Sequence, residues 1–193
     1  MRPEHVEMMK QRARNIALTI AYDGTNYHGF QRQTPPVLAV QNVLEGALAK
    51  ICGEMVELAA AGRTDAGVHA YGQVVNFFTD GRIPTEHLPR AVNGLLPPDI
   101  VVSQAWEAPR EFSARHSATG KAYVYRIEEC RVPNPFTRNY AWQVFQPLDH
   151  EAMHAVLLLL KGTHDYSSFR AAGGAPMSPV RTLDEIRLTE EEG

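Results

Sequence analysis

The sequence predicts an α+β fold with antiparallel sheets, because strand-like and helix-like patterns alternate along the chain in a specific order. Residues 16–22 place a larger apolar side chain at every second position, which is the period of a strand with one buried face. Residues 40–51 repeat apolar positions at helical spacing, and Gly53 follows where a C-terminal cap is expected. The same criteria predict strands at 56–61, 73–79 and 100–106 and a helix at 88–95.

The resulting order is strand, helix, strand, strand, helix, strand, the βαββαβ pattern of a ferredoxin-like domain. A second domain is predicted to follow, with a strand over residues 122–127, a helix capped by Asp149 and ending near Gly162, and a strand over 181–189. Strand, helix, strand is only part of a second βαββαβ unit, so this half is either built differently or incomplete. We therefore expect two ferredoxin-like halves, the second incomplete, arranged as a polar tail (1–14), an N-terminal domain (15–110) and a C-terminal domain (111–193).

The composition is that of a soluble globular protein, with 44% hydrophobic and 21% charged residues and a net charge of −3. The charge is unevenly distributed, because residues 110–138 carry six basic residues against three acidic ones. A basic stretch of this kind is compatible with RNA, whose phosphates supply much of the binding energy, although a solvated surface has the same pattern.

The location of the protein is predicted from its cysteines and its hydrophobic runs. Cys52 and Cys130 are far apart and form no CxxC pair, which suggests free thiols in a reducing compartment. The longest purely aliphatic run, residues 155–160, is too short to span a bilayer, and the charged N-terminus is not a secretory signal. We expect a cytoplasmic protein without a membrane partner. A Gly/Pro/Ala-rich loop is predicted at residues 170–179.

The segment that most clearly indicates a catalytic function is residues 62–70, GRTDAGVHA, which lies between two predicted strands. Its carboxylate, Asp65, follows Arg63 by two residues. A nearby guanidinium favours the ionised form of a carboxylate, which a nucleophile or a base requires. The alternative is structural, because an Asp in a Gly-flanked turn commonly hydrogen-bonds its own backbone in an Asx-turn.

Residues 62–70 resemble the segment that carries the catalytic Asp of the tRNA pseudouridine synthase A family. Residues 21–33, AYDGTNYHGFQRQ, are similar to that family's opening strand and turn. Residues 112–125 contain FSAR and KAYVY, which resemble the segment that supplies its uracil-stacking Tyr. Further similar segments are AVNGLLP at 91–97, GTHDYSSF at 162–169 and RT at 181–182.

The resemblance implies an isomerase that acts on tRNA without a cofactor or a metal. It implies that uridine becomes pseudouridine in the anticodon stem-loop, at tRNA positions 38 to 40, by cleavage of the glycosidic bond and reattachment through C5. Asp65 would attack C1′ or remove a sugar proton, and Tyr123 would stack on the base that has left its helix. Arg63 would keep the carboxylate ionised or clamp the flipped-out nucleotide, and Arg115 and Lys121 are candidate phosphate contacts.

The resemblance also bears on completeness and assembly. Family members continue past the point where this sequence stops, with a helix and a strand that close the second sheet, so it implies a C-terminal truncation. The family works as homodimers, and we expect a homodimer if the second domain is complete. Without the resemblance, Tyr123 would be interpreted as a core aromatic that faces the second helix.

Two other functions fit parts of the sequence. Residues 150–154, HEAMH, match the HExxH pattern of zinc metallopeptidases, but the motif lies in the first turn after the Asp149 cap, and Leu157 and Leu160 stand where the metzincin Gly and third His belong. A capped helix with exposed His residues explains the same pattern. The second alternative is an RNA-binding module without turnover, because a ferredoxin-like sheet can present aromatics to single-stranded RNA.

Overall fold

The chain, described by a computed structural model, forms two compact units, residues 1–124 and residues 125–193. The structure describes residues 3–170 and 178–190. Most of the loop predicted at 170–179 therefore lies outside the described residues. The polar N-terminal segment contains a helix, α1 (Pro3–Lys10).

An antiparallel sheet of four strands forms the centre of the first unit, in the order β2-β3-β1-β4. Two helices connect the strands, so the order β1-α2-β2-β3-α3-β4 agrees with the predicted βαββαβ order, and the α+β class is confirmed. A short 3-10 helix, Thr85–His87, precedes the second of these helices. The elements are β1 (Arg14–Tyr22), α2 (Val40–Cys52), β2 (Ala59–Ala60), β3 (Ala70–Thr79), α3 (Leu88–Asn93) and β4 (Ile100–Ala108).

The core lies between the central strand β1 and the helix α2. The side chains of Ile16, Leu18 and Ile20 on β1 are fully buried, as the alternating pattern predicts. Helix α2 contributes Val40, Leu44, Ala47 and Leu48 to the same cluster. It ends at the predicted cap, where Gly53 has a φ of 72° and donates its backbone N–H to the carbonyl of Ala49.

The strand predicted at residues 56–61 is much shorter in the structure, where β2 covers only Ala59–Ala60. The backbone N–H of Leu58 donates to a carboxylate oxygen of Glu45 at 2.9 Å instead of to a neighbouring strand. A side chain that captures a backbone donor in this way ends the ladder, because each N–H can satisfy one acceptor well.

Residues 109–114 are attached to the first unit by two buried asparagines. Asn15 donates to the carbonyls of Pro109 and Phe112 at 2.8 and 2.9 Å. Asn76 donates to the side-chain oxygen of Asn15 at 2.9 Å and accepts from the backbone N–H of Ala114 at 2.8 Å. These bonds hold the chain against β1 and β3 as far as Ala114, within the first compact unit.

The second unit contains two separate pairs of strands within its described residues. Strands β5 (Ile127–Glu129) and β6 (Trp142–Val144) are parallel. Strands β7 (Gly162–Asp165) and β8 (Val180–Leu183) are antiparallel, and a 3-10 helix covers Ser167–Phe169. Helix α4 (His150–Leu160) begins at the predicted cap, where Asp149 accepts the N–H of Ala152 at 2.9 Å.

Two strand predictions near and in this unit need correction. The alternating segment 122–127 is not a strand, since only its last residue enters β5. The side chains of Tyr123 and Tyr125 are 70% and 89% exposed, so no layer packs against either and the alternation does not mark a buried face. The strand predicted at 181–189 is confined to Val180–Leu183, the residues that pair with β7.

The two cysteines are free thiols, as predicted. Cys52 is half-buried, and burial raises the pKa of its thiol, which keeps the group protonated and unreactive. As for membranes, none of the helices within residues 3–170 and 178–190 has both the length and the apolar character that a transmembrane span needs.

Candidate active site

The site is built from two loops of the first unit that lie side by side. Residues 62–69, named here the Asp65 loop, connect β2 to β3, and residues 23–33, named here the first loop, follow β1. The backbone N–H of Phe30 donates to the carbonyl of Thr64 at 3.0 Å, and that of Gly67 donates to the carbonyl of Tyr27 at 3.2 Å. The structure therefore brings together the two sequence segments with the most distinctive motifs.

The loops approach so closely because two glycines of the first loop lack side chains. A Cβ on Gly29, whose φ is 84°, would lie 2.6 Å from the carbonyl oxygen of Thr64. A Cβ on Gly24 would lie 2.1 Å from the carbonyl oxygen of Val68. Both distances are shorter than any contact that a Cβ makes, so backbone rather than side chain forms this interface.

His69 fixes the far end of the Asp65 loop. Its Nδ1 accepts the backbone N–H of Gly24 at 3.1 Å and lies 3.1 Å from a carboxylate oxygen of Asp23. Asp23 also accepts the backbone N–H of Thr25 at 2.9 Å, which closes the turn after β1.

Buried tyrosines support the loops from below. The hydroxyl of Tyr22 lies 2.8 Å from the hydroxyl of Thr64, directly before Asp65. Burial raises the pKa of Tyr22, so this phenol keeps its proton for a hydrogen bond. The hydroxyl of Tyr27 donates to Asp99 at 2.7 Å, and burial, followed by that carboxylate, raises the pKa of Tyr27 far above its usual value.

Asp65 is exposed at the apex of this supported loop. Its backbone carbonyl accepts the N–H of Val68 at 3.2 Å and closes the turn. Within the part of the chain that the structure describes, no side chain or backbone group hydrogen-bonds to the Asp65 carboxylate, so the Asx-turn alternative is not formed. Arg63 is also exposed, and no ion pair joins it to Asp65 among these same residues.

Lys121 lies next to the beginning of the Asp65 loop. Its Nζ is 3.0 Å from the position that a Cβ on Gly62 would occupy. Tyr123 is 70% exposed, which contradicts a core position facing the second helix. Arg115 is exposed as well. Neither Tyr123 nor Arg115 hydrogen-bonds to the Asp65 loop in the described parts of the chain.

The sequence patterns did not reveal the residues that hold the loop. The sequence analysis included Gly24 and Gly29 only as members of the segment 21–33, and Tyr22 also as the last apolar residue of the predicted strand. The one available signal was the spacing of glycines in a polar segment, which indicates turns as well as close backbone contacts.

The first histidine of the HExxH segment hydrogen-bonds to two carboxylates of the second unit. His150 hydrogen-bonds to Glu129 and, at 3.2 Å, to Glu190. The bond to Glu129 raises the pKa of His150, while the N–H of Leu148, followed by His150, lowers the pKa of Glu129. No three His, Cys, Asp or Glu side chains come together in a metal-binding group among residues 3–170 and 178–190. The metallopeptidase alternative therefore has no third ligand in that part of the protein.

Comparison with known proteins identifies the family. The sequence profile described as tRNA pseudouridine synthase matches residues 18–138, from β1 through the Asp65 loop to beyond Tyr123. The chain belongs to the tRNA pseudouridine synthase family. It is thus an isomerase, and tRNA is the substrate that the family implies.

Relatives of the synthase support the same assignment along most of the chain. A protein of Thermoanaerobacter sp. (strain X514) named tRNA pseudouridine synthase A is 46% identical over 179 residues, which cover 93% of this chain and 73% of the relative. Proteins of the same name from Geobacter sulfurreducens and Moorella thermoacetica are 44% and 47% identical. These two alignments cover 92% and 88% of this chain, and 72% and 68% of the relatives.

Proposed function

We propose that this protein converts uridine to pseudouridine in the anticodon stem-loop of tRNA, at positions 38 to 40, with Asp65 as the reactive residue. The observation that carries the proposal is the contrast between Asp65 and its loop. The loop backbone is held by the first loop on both sides of Asp65, whereas the carboxylate itself is exposed and has no hydrogen-bond partner among the described residues. A fixed carboxylate that remains available is what a nucleophile or base requires.

The reaction is an isomerisation that leaves the composition of the substrate unchanged. The C1′–N1 bond breaks, uracil turns, and a new bond forms between C1′ and C5. The C5 proton is released, and N1 takes up a proton. Asp65 either attacks C1′ and forms an ester that C5 displaces after the base has turned, or removes a sugar proton that returns to the sugar when C5 bonds to C1′. Neither route changes an oxidation state overall, so neither needs a redox cofactor.

The other site residues have roles that follow from their exposure. A uridine within a stem is stacked, and extrusion of a base costs a few kcal/mol. The exposed ring of Tyr123 offers a surface on which the extruded base can stack, which offsets part of that cost. Lys121, beside the Asp65 loop, and the exposed Arg63 and Arg115 supply positive charge for the flanking phosphates.

We also infer the organisation of the enzyme. The β2-β3-β1-β4 order of the first unit supports a ferredoxin-like half, and we assign the second unit to a second half of this kind. A cytoplasmic homodimer without cofactor or metal is the form in which we expect the enzyme to act. The two free thiols support a reducing compartment.

Release of tritium from tRNA labelled at uridine C5 tests the proposal directly. The wild-type chain should release tritium, and Asp65→Asn should bind tRNA nearly as well while its turnover is abolished. Asp184→Asn, which alters an exposed carboxylate of the second unit, is the matched control and should keep full turnover.

Near-normal turnover by Asp65→Asn would refute the assignment of the reactive residue. Tight tRNA binding without turnover by the wild-type chain would instead identify an RNA-binding module. Mapping the pseudouridines in the product then tests the stem-loop assignment, because modification outside positions 38 to 40 would contradict it.

A further inference from the structure

A buried carboxylate on α2 bonds to both chain segments that shape the Asp65 loop. Glu45 is 8% exposed and receives the guanidinium of Arg32 in a forked arrangement, from Nε to Oε2 at 2.8 Å and from Nη2 to Oε1 at 2.6 Å. The Oε1 atom also accepts from Gln41 at 2.8 Å and from the backbone N–H of Leu58 at 2.9 Å. Such a carboxylate is stable when buried only because these donors satisfy it.

The first arm of this network runs through the first loop. The backbone N–H of Arg32 donates to the side-chain oxygen of Gln41 at 2.9 Å, and the backbone N–H of Gln41 donates to the carbonyl of Phe30 at 3.0 Å. Phe30 in turn donates to Thr64 at 3.0 Å. A displacement of Arg32 is therefore passed by consecutive hydrogen bonds to the residue before Asp65.

The second arm runs along the chain itself. Leu58, which donates to Glu45, directly precedes β2, and the Asp65 loop begins two residues after that strand ends. Because β2 has only two residues, its ladder with β3 is short, and the entry to the loop is held by the bond from Leu58 to Glu45 together with the bond from the backbone N–H of Ala61 to the carbonyl of Val74 at 2.9 Å. Glu45 thus holds the strand that enters the loop and the segment that lies against it.

We propose that Arg32 and Glu45 form a positioning pair that sets the geometry of the Asp65 loop. This proposal rests on the proposed function of Asp65, because positioning matters to turnover only if that loop carries the chemistry. Neither residue of the pair hydrogen-bonds to Asp65, so their effect passes through Phe30 and Leu58.

A role of Arg32 in phosphate binding does not fit its surroundings. Its guanidinium directs two nitrogens at Glu45, and its side chain is 26% exposed. The hydrogen bond to Glu45, with the charges of Glu45 and Glu57, raises the pKa of Arg32. Two carboxylates around one guanidinium leave little net attraction for an anionic backbone.

The experiment compares Arg32→Lys with a matched control, Arg12→Lys. Arg12 pairs with Glu54 at 3.3 Å in the same compact unit, with side chains 16% and 20% exposed, and donates to the carbonyls of Met55 and Phe78. Lysine keeps the charge at both positions, but it loses the fork that Arg32 makes to Glu45 and the separate contacts that Arg12 makes to Glu54 and the two carbonyls. Glu45→Gln is a second variant, which changes the other partner of the pair and removes its charge.

Two measurements are made on each full-length variant: hydrogen exchange of the Phe30 and Gly67 amides, and kcat and KM for tritium release from tRNA. Arg32→Lys and Glu45→Gln should speed exchange at both amides and lower kcat by about tenfold or more, with KM within about twofold of the wild-type value. Arg12→Lys should leave kcat and the exchange of these two amides unchanged. If Glu45→Gln does not fold, Arg32→Lys carries the test alone.

Each outcome has a definite meaning. Unchanged exchange at Phe30 and Gly67 in Arg32→Lys would overturn the positioning pair. Equal acceleration in Arg12→Lys would also overturn it, because the effect would then be one of general stability. Faster exchange with an unchanged kcat would contradict the effect of the pair on turnover, whereas the proposed role of Asp65 fails only if Asp65→Asn keeps its turnover, so the two proposals fail in distinguishable ways.

Discussion

The carbonyl oxygen of Val68 lies 2.1 Å from the point that a β-carbon on Gly24 would occupy. Gly24 is buried and does not have a positive φ, so other residues could adopt its backbone conformation. Only the lack of space for a Cβ excludes them. The contact joins the first turn of the chain after β1 to the end of the Asp65 loop. The geometry of the site thus depends on Gly24, a residue without a side chain that could take part in the reaction.

Gly24→Ala should destabilise the protein by about 1–3 kcal/mol, because one added methyl group forces two backbone segments apart. Gly46→Ala is the control, since nothing lies within 4 Å of a Cβ at that helical position and alanine should add up to about 1 kcal/mol of stability. Urea unfolding of both variants measures the two free energies. Equal stability of the two variants would contradict the contact.

Asn76→Ala should cost about 1–3 kcal/mol of stability, because the N–H of Ala114 loses its acceptor in a buried position. The change should also speed hydrogen exchange at Ala114 and lower turnover, since this segment leads to Lys121 and Tyr123. Asn26→Ala, at an exposed position of the first loop, serves as the control and should alter stability by less than about 0.5 kcal/mol. Protection of the Ala114 amide that survives in Asn76→Ala would argue against this anchoring.

Tyr123→Ala should lose most of the activity, whereas Tyr123→Phe should retain a substantial part if stacking is the main role of the ring. Aromatic stacking on a base is worth about 1–3 kcal/mol, which corresponds to roughly a fivefold to 150-fold loss of kcat/KM on truncation. Tyr71, which is 83% exposed on β3, provides matched Ala and Phe controls that should remain active. Equal losses in the two Tyr123 variants would point to chemistry at the hydroxyl instead.

The contact between His150 and Glu129 predicts a pH window of stability in the second unit. The raised pKa of His150 means that its contribution is complete below the unfolded pKa and is lost as pH rises through the folded value. The lowered pKa of Glu129 means that its contribution is complete above the unfolded pKa and is lost as pH falls through the folded value. Both contributions are complete at pH values between the unfolded pKa of Glu129 and the unfolded pKa of His150.

NMR titration of the His150 ring in the wild-type protein and in Glu129→Gln checks this window. The pKa of His150 should fall in the variant, and the difference should shrink at high salt because both groups are solvent-accessible. Glu185→Gln, which alters an exposed acid of the same unit, should leave the His150 titration unchanged. An identical titration in Glu129→Gln would show that the pair does not form in solution.

Local sequence patterns predicted those elements of the first unit whose limits depend on one buried face or on one capping residue. Helix α2 was predicted over 40–51 and observed at Val40–Cys52, because its apolar spacing and Gly53 are local signals. The length of β2 could not be predicted in the same way. It is set by the bond from Leu58 to Glu45, a contact between residues that are distant in sequence.

The candidate site shows the same division. Asp65 was predicted from its motif and Lys121 from charge and resemblance, and both stay predictions, whereas the support by Gly24 and Gly29 could not be predicted because it requires two loops to be placed side by side. The strand prediction at 122–127 was wrong because alternation indicates a buried face only when another layer covers that face. Tyr123, with 70% of its surface exposed, has no such layer.

The close approach of the two loops has a consequence for how freely the sequence can vary. Backbone packed on backbone tolerates one amino acid at Gly24 and one at Gly29, while Asn26 and His28 between them point to solvent. In a library in which every position of the first loop is randomised, active clones should therefore keep glycine at these two positions and vary at Asn26 and His28. The placement of the Asp65 carboxylate would then depend largely on two residues, Gly24 and Gly29, that act by having no side chain.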